Sequence, residues 1–314
     1  MKYIDFVNGL IKEEISRQKK IVLFGQNINA GSCLGGLTKG ITVDNSSMVI
    51  NSTNSENTLC GFGFGLMMNG VSSIFFMKQL DFLLIGIDHL VNTYNIIRGT
   101  KPDSSSSFTI FPIVVDNGFQ GPQSSLNNFA DFCSISRIRG FTITNKIDAE
   151  KIIRSQLISP GFRIITVSQR LFKEEILIPE KLVYVNSDCD VFQYSEGDDS
   201  TIVCFNFSFP FGMSILEEMK INKISGSLFN VNSPVPVNWK KIVEDVRKTK
   251  RLIVIDDSKS ENLACDALLA DICGSYNIEK KIVLKRDMTK PDWVYPVHDQ
   301  MEINVKQVVK DVMS

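Results

Sequence analysis

Histidine is nearly absent from this chain: there are two in 314 residues, His89 and His298. A serine or cysteine hydrolase would have to use one of them as its base, and no nucleophile-elbow sequence accompanies either. The seven cysteines (33, 60, 133, 189, 204, 265 and 273) contain no Cys-x-x-Cys pair, which leaves zinc and dithiol redox sites without a frame. No apolar run approaches the roughly 18 residues of a membrane helix. Met1-Lys2-Tyr3-Ile4-Asp5 lacks the basic and apolar regions of a signal peptide. Neither sign of charge dominates, and a formal net charge of -1 offers no broad attraction for nucleic acid or an anionic membrane. A reduced, cytoplasmic protein is the expectation.

Two glycine clusters fall short of nucleotide motifs. Gly61-Phe-Gly63-Phe-Gly65 is not Gly-x-Gly-x-x-Gly, because Leu66 stands at the last position, and it lies inside an expected helix rather than at its start. Small residues that let a helix pack closely account for it better. Gly31-Ser-Cys-Leu-Gly35-Gly36 lacks the Lys-Ser/Thr ending of a P-loop and reads as a surface loop.

What is present is a steady alternation of apolar strands and helices. Helical spacing covers Tyr3 to Arg17, strands are expected at 20–24 and 48–50, and Ser55 caps a helix that Gly70 stops. A strand at 71–77, a long apolar helix from Asp81 to Ile97 and a strand at 108–115 follow. Then come the loop 116–125, a helix, a strand at 141–144, a helix from Asp148 and a strand at 163–167. Residues 172–200 break into short extended pieces and polar turns and read as a linker. A second series runs strand 201–205, helix 212–220, strand 225–231, helix 238–248, strand 251–255, helix 260–274, strand 281–285 and helix 303–312. Continuous apolar strands at this pace imply parallel sheets with helices on both faces. The fold class expected is α/β, two doubly wound α/β domains in series, divided as 1–190 and 191–314.

Glu56 opens the helix after Ser55, where the helix dipole favours a carboxylate for reasons unconnected with function. The wider pattern changes that reading. Asn54-Ser-Glu56 is followed by a run of small residues, Gly70 lies fourteen positions after Glu56, and Phe82 lies twenty-six after it. Asp81-Phe-Leu-Leu-Ile-Gly-Ile-Asp88-His-Leu-Val-Asn92 then supplies an aromatic stretch ending in Asp-x-x-x-Asn. These segments resemble the beta subunits of 2-oxo acid dehydrogenase E1 components and, more loosely, the pyrimidine-binding domain of transketolases. Val22-Leu-Phe-Gly25-Gln26-Asn27, Arg251 to Ser258 and Pro291-Asp-Trp-Val-Tyr-Pro296 extend the likeness across the chain.

The resemblance implies a pyrimidine-binding domain followed by a transketolase C-terminal-like domain, with thiamine diphosphate as cofactor. It gives Glu56 the hydrogen bond to the aminopyrimidine ring that favours the imino tautomer, and Phe82 the packing against that ring. Such a carboxyl must share a proton near neutrality, which an apolar setting provides by raising its pKa. The Gly-Asp-Gly motif that holds Mg²⁺ and diphosphate is missing. Gly197-Asp198-Asp199 lacks the second glycine and reads as a turn. An alpha-type subunit carrying that half, in an alpha2beta2 heterotetramer, is the implied partner, and a small 2-oxo acid or sugar the implied substrate.

Three departures stand out. In the loop Gly118 to Ser125, where the family carries a histidine, this chain has Ser124, flanked by Gln123 and Ser125 as further candidate loop residues. Serine supplies hydrogen bonds but no imidazole proton. Gln26 and Asn27 replace an acidic pair. Lys78 replaces a neutral residue, either as a cation for a substrate carboxylate or phosphate or as a solvated helix-end lysine. Three functions stay open: an E1 beta-like enzyme half, a split transketolase-like transferase, and a structural or regulatory subunit.

Overall fold

The structure, a computed structural model, describes residues 1–100, 105–116, 127–235, 237–275, 277–287 and 301–314. Two six-stranded sheets follow one another along the chain, each flanked by helices on both faces. The first holds β1 (Val22–Gly25), β2 (Met48–Asn51), β3 (Ser73–Met77), β4 (Ser107–Val114), β5 (Gly140–Thr142) and β6 (Gly161–Ser168). Their order is β2-β1-β3-β4-β6-β5, and every neighbouring pair is parallel. All five residues of β3 and all eight of β4 are buried, which is why their sequences show runs rather than alternation.

Helices α1 (Tyr3–Ser16), α2 (Glu56–Met68), α3 (Tyr94–Thr100), α4 (Phe129–Ser136) and α5 (Lys146–Gln156) complete this half. Strand β4 shows how they are layered. Phe108 faces Gly63 of α2, whereas the Thr109 hydroxyl, one residue on, donates to the Leu157 carbonyl at the end of α5 at 2.7 Å. Successive side chains of a strand point to opposite faces, so α2 and α5 lie on opposite sides.

The second sheet holds β7 (Tyr184–Val185), β8 (Val191–Ser195), β9 (Ser200–Phe205), β10 (Gly226–Val231), β11 (Arg251–Asp256) and β12 (Lys280–Lys285), in the order β12-β11-β9-β10-β8-β7. Strand β8 runs antiparallel to β7 and β10; the other pairs are parallel. Ile202, Cys204, Ile253 and Ile255 face the core shared with the first sheet and with α6 (Phe209–Ile221) and α9 (Val305–Met313). Val203, Phe205, Leu252 and Val254 face a second core with α7 (Lys240–Thr249) and α8 (Asp266–Ser275).

Three local expectations change. The stretch read as a linker supplies two strands of the second sheet: Val191–Ser195, buried at its first four positions, pairs antiparallel with β10 on one side and with Tyr184–Val185 on the other. The Asp81–Ile97 helix is not uniform: it is 3₁₀ over Leu80–Gly86, has a π-turn at His89–Thr93, and is α-helical only as α3. Helix α5 begins before Asp148, since Asn145 caps it and Asp148 closes a capping box.

That capping box is also a junction between the sheets. Asp148, fully buried, accepts from Thr144 N (3.0 Å) and Oγ1 (2.6 Å), Asn145 N (3.0 Å) and Nδ2 (2.9 Å), and Asn232 Nδ2 (2.9 Å) just beyond β10. Burial nonetheless pushes its pKa up to about 6. Beside it, Thr142 N donates to the Asn232 carbonyl at 2.8 Å, and Asn232 Nδ2 donates back to the Thr142 carbonyl at 2.7 Å.

Candidate functional site

In the first sheet the strand order reverses between β1 and β3, since β1 connects to β2 on one side and the chain returns to β3 on the other. The crevice beyond the carboxyl ends of parallel strands at such a reversal is where ligands bind in open α/β sheets. The residues delivered to that edge are Gln26 and Asn27 after β1, Ser52 to Glu56 after β2, and Lys78 to Phe82 after β3.

The loops leaving β1 and β2 are tied together. The Gly25 carbonyl accepts from Ser52 N at 2.9 Å, and Asn51 Oδ1 accepts from Ile28 N at 3.0 Å. Gly25 has φ +147°, and a Cβ there would lie 2.1 Å from the Phe76 carbonyl oxygen, so only glycine lets the chain turn this close to β3. Gln26 is half-buried, and Asn27 is exposed in the left-handed region at φ 57°.

Glu56 is the first residue of α2, as its sequence position implied, and the helix ends at Met68, with Gly70 at φ +77°. The Ser55 hydroxyl does not cap the backbone; it donates to Thr58 Oγ1 at 2.8 Å. The Glu56 carboxylate is half-buried, and among the described residues none donates a hydrogen bond to it. One turn later, burial together with the Glu56 charge pushes the Cys60 thiol up to about 12, which makes it an inert packing group. The glycines of α2 are close-approach positions at two of three sites. A Cβ on Gly63 would fall 2.2 Å from the Phe108 ring, and one on Gly61 would fall 3.0 Å from the His89 ring. Behind them Phe64, Phe108 and Phe162 pack with ring centroids 4.7–5.2 Å apart, a stiff floor under the helix.

Phe82 lies half-buried in the 3₁₀ segment packed directly on α2. The contact is set by Gly86: a Cβ there would lie 2.6 Å from Cys60 Sγ and 3.3 Å from the Glu56 carbonyl oxygen. Gly86 therefore fixes how closely the element bearing Phe82 approaches the one bearing Glu56. The sequence offered a signal for this, a glycine inside a long apolar helical pattern. Asp81, next to Phe82, is buried, and burial raises its pKa. Lys78 is exposed immediately after β3. His89 is half-buried, with Nδ1 2.9 Å from Thr93 Oγ1, at the start of the π-turn.

The structure thus gathers Glu56, Phe82 and Lys78 along one sheet edge. Gln123, Ser124 and Ser125 lie outside the described residues, as do His298 and the Pro291–Pro296 segment. Gly197-Asp198-Asp199 is a surface turn between β8 and β9. Asp198 pairs with Lys248 at 2.5 Å, and Asp199 Oδ2 accepts from Ser225 N at 2.7 Å. Among the described residues no group of three or more His, Cys, Asp or Glu is placed to hold a metal ion. None of their helices is long and apolar enough to cross a membrane.

No family model matches the chain. It is 24% identical over 285 residues to the pyruvate dehydrogenase E1 component subunit beta-1, mitochondrial, of Arabidopsis thaliana, covering 86% of this chain and 75% of that protein. Over 281 residues it is 22% identical to the 2-oxoisovalerate dehydrogenase subunit beta of Bacillus subtilis, covering 87% and 85% respectively. The chain resembles E1 beta subunits along most of its length. This E1-beta-like chain also shares its fold with a split-gene transketolase solved as an inactive beta4 tetramer. The TM-score is 0.67 at 14% identity, over 98% of this chain and 96% of that one. The α/β fold and the likeness read from the motifs around Glu56 are both found.

Proposed function

We propose that this chain is the beta-type half of a split thiamine-diphosphate enzyme, holding the cofactor's aminopyrimidine ring between its own first sheet and a partner chain. One observation carries the reading: a half-buried carboxylate, Glu56, heads α2 at the reversal point of a parallel sheet, with no described donor on it and an aromatic, Phe82, on the element packed against it. That donor set fits an aminopyrimidine, which presents ring nitrogens to a carboxyl and a flat face to an aromatic. When bound, thiamine diphosphate supplies an acidic carbon that adds to a carbonyl and an electron sink for C–C cleavage. Glu56 holds the proton at a ring nitrogen, Phe82 orients the ring, and the phenylalanine floor under α2 keeps water away.

Mg²⁺ and the diphosphate need oxygen ligands. The chain's one Gly-Asp pair is engaged as a surface turn with Lys248, so the reading assigns that half to an alpha-type partner in an alpha2beta2 assembly. Exposed Leu84, Ile85 and Ile135, each more than half accessible, favour a covering partner on this side. Leu84 and Ile135 line one surface cavity of about 540 Å³. The structural neighbour's description as inactive when built of beta chains alone supports the same view. The first-sheet half forms the aminopyrimidine-binding unit; the second unit begins by β7 (Tyr184–Val185), ahead of the division expected at 190. The substrate is a 2-oxo acid; exposed Lys78 at the same edge favours, as a second reading, a phosphorylated ketose in a transketolase-like transfer.

Calorimetry of thiamine diphosphate with Mg²⁺, on each chain and on the assembled pair, tests this. Binding confined to the pair and weakened at least tenfold by Glu56→Ala is the expected result. No binding by a well-formed pair would reject the reading in favour of a structural subunit.

A further inference from the structure

The second sheet has a ligand-sized opening of its own. Its strand order reverses between β9 and β11, and open α/β sheets receive ligands beyond the carboxyl ends of their strands near such a reversal. The gap at the reversal itself is closed by protein. Asn206, just past β9, donates from Nδ2 to Asp256 Oδ1 at 2.9 Å and to Ser258 Oγ at 2.7 Å. One strand out the edge stays open. Strands β11 and β12 run parallel and in register as far as Asp256 and Lys285, and a cavity of about 490 Å³ lies where the chain leaves them. Ser258, Ser260, Glu261 and Leu263 line it from the connection to α8, and Lys285, Arg286 and Asp287 line it from the end of β12.

Its polar lining is partly built into the fold. Ser258 is buried, and its N and Oγ both donate to Asp256 Oδ1, at 3.0 Å and 2.5 Å. Arg286 is buried too, and its Nε donates to the Asp257 carbonyl at 2.7 Å, which sets the plane of the guanidinium. Ser260 is half-buried, and its Oγ accepts from Asn262 N at 3.2 Å, so its hydroxyl hydrogen is left to give. Lys285 is exposed, and among the described residues no carboxylate forms an ion pair with it. Glu261 and Asp287, both exposed, complete the charged groups. Leu263 is the single apolar lining residue, so the cavity offers no wall for an aromatic base or an aliphatic chain.

We infer that this cavity is a binding site for a small sugar phosphate, separate from the Glu56 edge. Lys285 and Ser260 hold the phosphate oxygens, and Arg286 adds its positive charge from a fixed position. Glu261 and Asp287 accept hydrogen bonds from the sugar hydroxyls. The two cations and two carboxylates are what select this class. Inorganic phosphate would use the cations and leave the carboxylates facing an anion with nothing to accept. A neutral sugar would use the carboxylates and leave the cations unmatched. A nucleotide would bring a base that the lining has no surface to receive. The volume falls within the range of roughly 300–1,000 Å³ common to small-molecule sites. The site lies wholly in the second unit and does not rest on the thiamine-diphosphate reading.

Calorimetry on the full chain tests this with ribose 5-phosphate, ribose, inorganic phosphate and adenosine monophosphate, thermal melting serving as a check that each variant is folded. Ribose 5-phosphate is expected to bind at least about tenfold more tightly than any of the other three. Lys285→Gln, at an exposed position, should weaken it about tenfold, the loss of one charge-assisted hydrogen bond. Glu261→Gln should weaken ribose 5-phosphate several-fold without weakening inorganic phosphate. Lys78→Gln, at the edge of the first sheet, should change nothing. Inorganic phosphate or the nucleotide binding as tightly as ribose 5-phosphate would overturn the ligand class, and no binding of any of the four would overturn the site. Loss of binding in Lys78→Gln but not in folded Lys285→Gln would also overturn it, by moving the ligand to the Glu56 edge. Failure of an assembled pair to bind thiamine diphosphate would strike the proposed function and leave these results standing.

Discussion

Two carboxylates at the heads of two helices in the same sheet have opposite surroundings. Asp148, in the first turn of α5, is fully buried and accepts hydrogen bonds from Thr144, Asn145 and Asn232. Glu56, at the start of α2, is half-buried and receives none from the described residues. The helix dipole favours both alike, so it does not tell them apart. What differs is satisfaction: the protein has already used the lone pairs of Asp148, whereas no described donor takes those of Glu56. A carboxylate completed by its own chain belongs to the architecture; one left open at a ligand-binding edge is available for chemistry.

The contrast can be broken by mutation. Asp148→Ala strands buried donors from both sheets and removes a helix cap, and a loss on the order of 3–5 kcal/mol in urea unfolding is expected. A loss under about 1 kcal/mol would mean the junction is not the structural group it resembles. Gly86→Ala should cost about 1–3 kcal/mol, because the new methyl meets Cys60 Sγ at 2.6 Å, and it should also weaken cofactor binding by moving Phe82. The double variant with Cys60→Ala is expected to recover most of both effects, and additive losses in that cycle would rule out the contact as the cause. Glu56→Gln should leave unfolding within about 0.5 kcal/mol of wild type while lowering turnover of the assembled pair at least about a hundredfold. A stability loss matching that of Asp148→Ala would erase the distinction.

The gentlest probe is pH. The folded-state pKa of Asp148 is raised from 3.8 to about 6, so the native state holds this proton more tightly than the unfolded chain. Its contribution to stability is full below about pH 4 and is lost as pH rises through about 6. Across that window the stability of wild type should therefore fall relative to Asp148→Asn; a flat difference would place its pKa near the ordinary carboxylate value.

Much of the layout was legible in advance. Strands such as Ser73-Ile-Phe-Phe-Met77 are apolar at nearly every position, and α2 begins just after Ser55 and ends just before Gly70 as expected, although the Ser55 hydroxyl turns to Thr58 rather than capping the backbone. Glu56 and Phe82 were singled out because their spacing matches a known pattern, not because either looks unusual alone, and the structure sets them on two elements packed together. Three features were not legible. Strand β8 is only five residues with polar positions interleaved, and its burial comes from β10, more than thirty residues away. The 3₁₀ segment at the start of the 81–97 region packs Gly86 against Cys60, a contact that periodicity does not encode. The polar junctions pair residues 84 to 130 positions apart, such as Asn232 with Asp148 and Asn127 with Asp257. Local patterns carry no information at that range.

The reciprocal bonds between Thr142 and Asn232 also affect how copies of this molecule can meet. Strand β5 is three residues long and lies at one border of the first sheet, where an unpaired strand ordinarily invites another chain to add on. Thr142 already donates its amide and accepts at its carbonyl, so that border is sealed from within. The opposite border, Met48–Asn51, is exposed or half-exposed at all four positions. Any aggregation that grows by extending this sheet must therefore start at β2, and a lysine or proline placed there is the change that would block it.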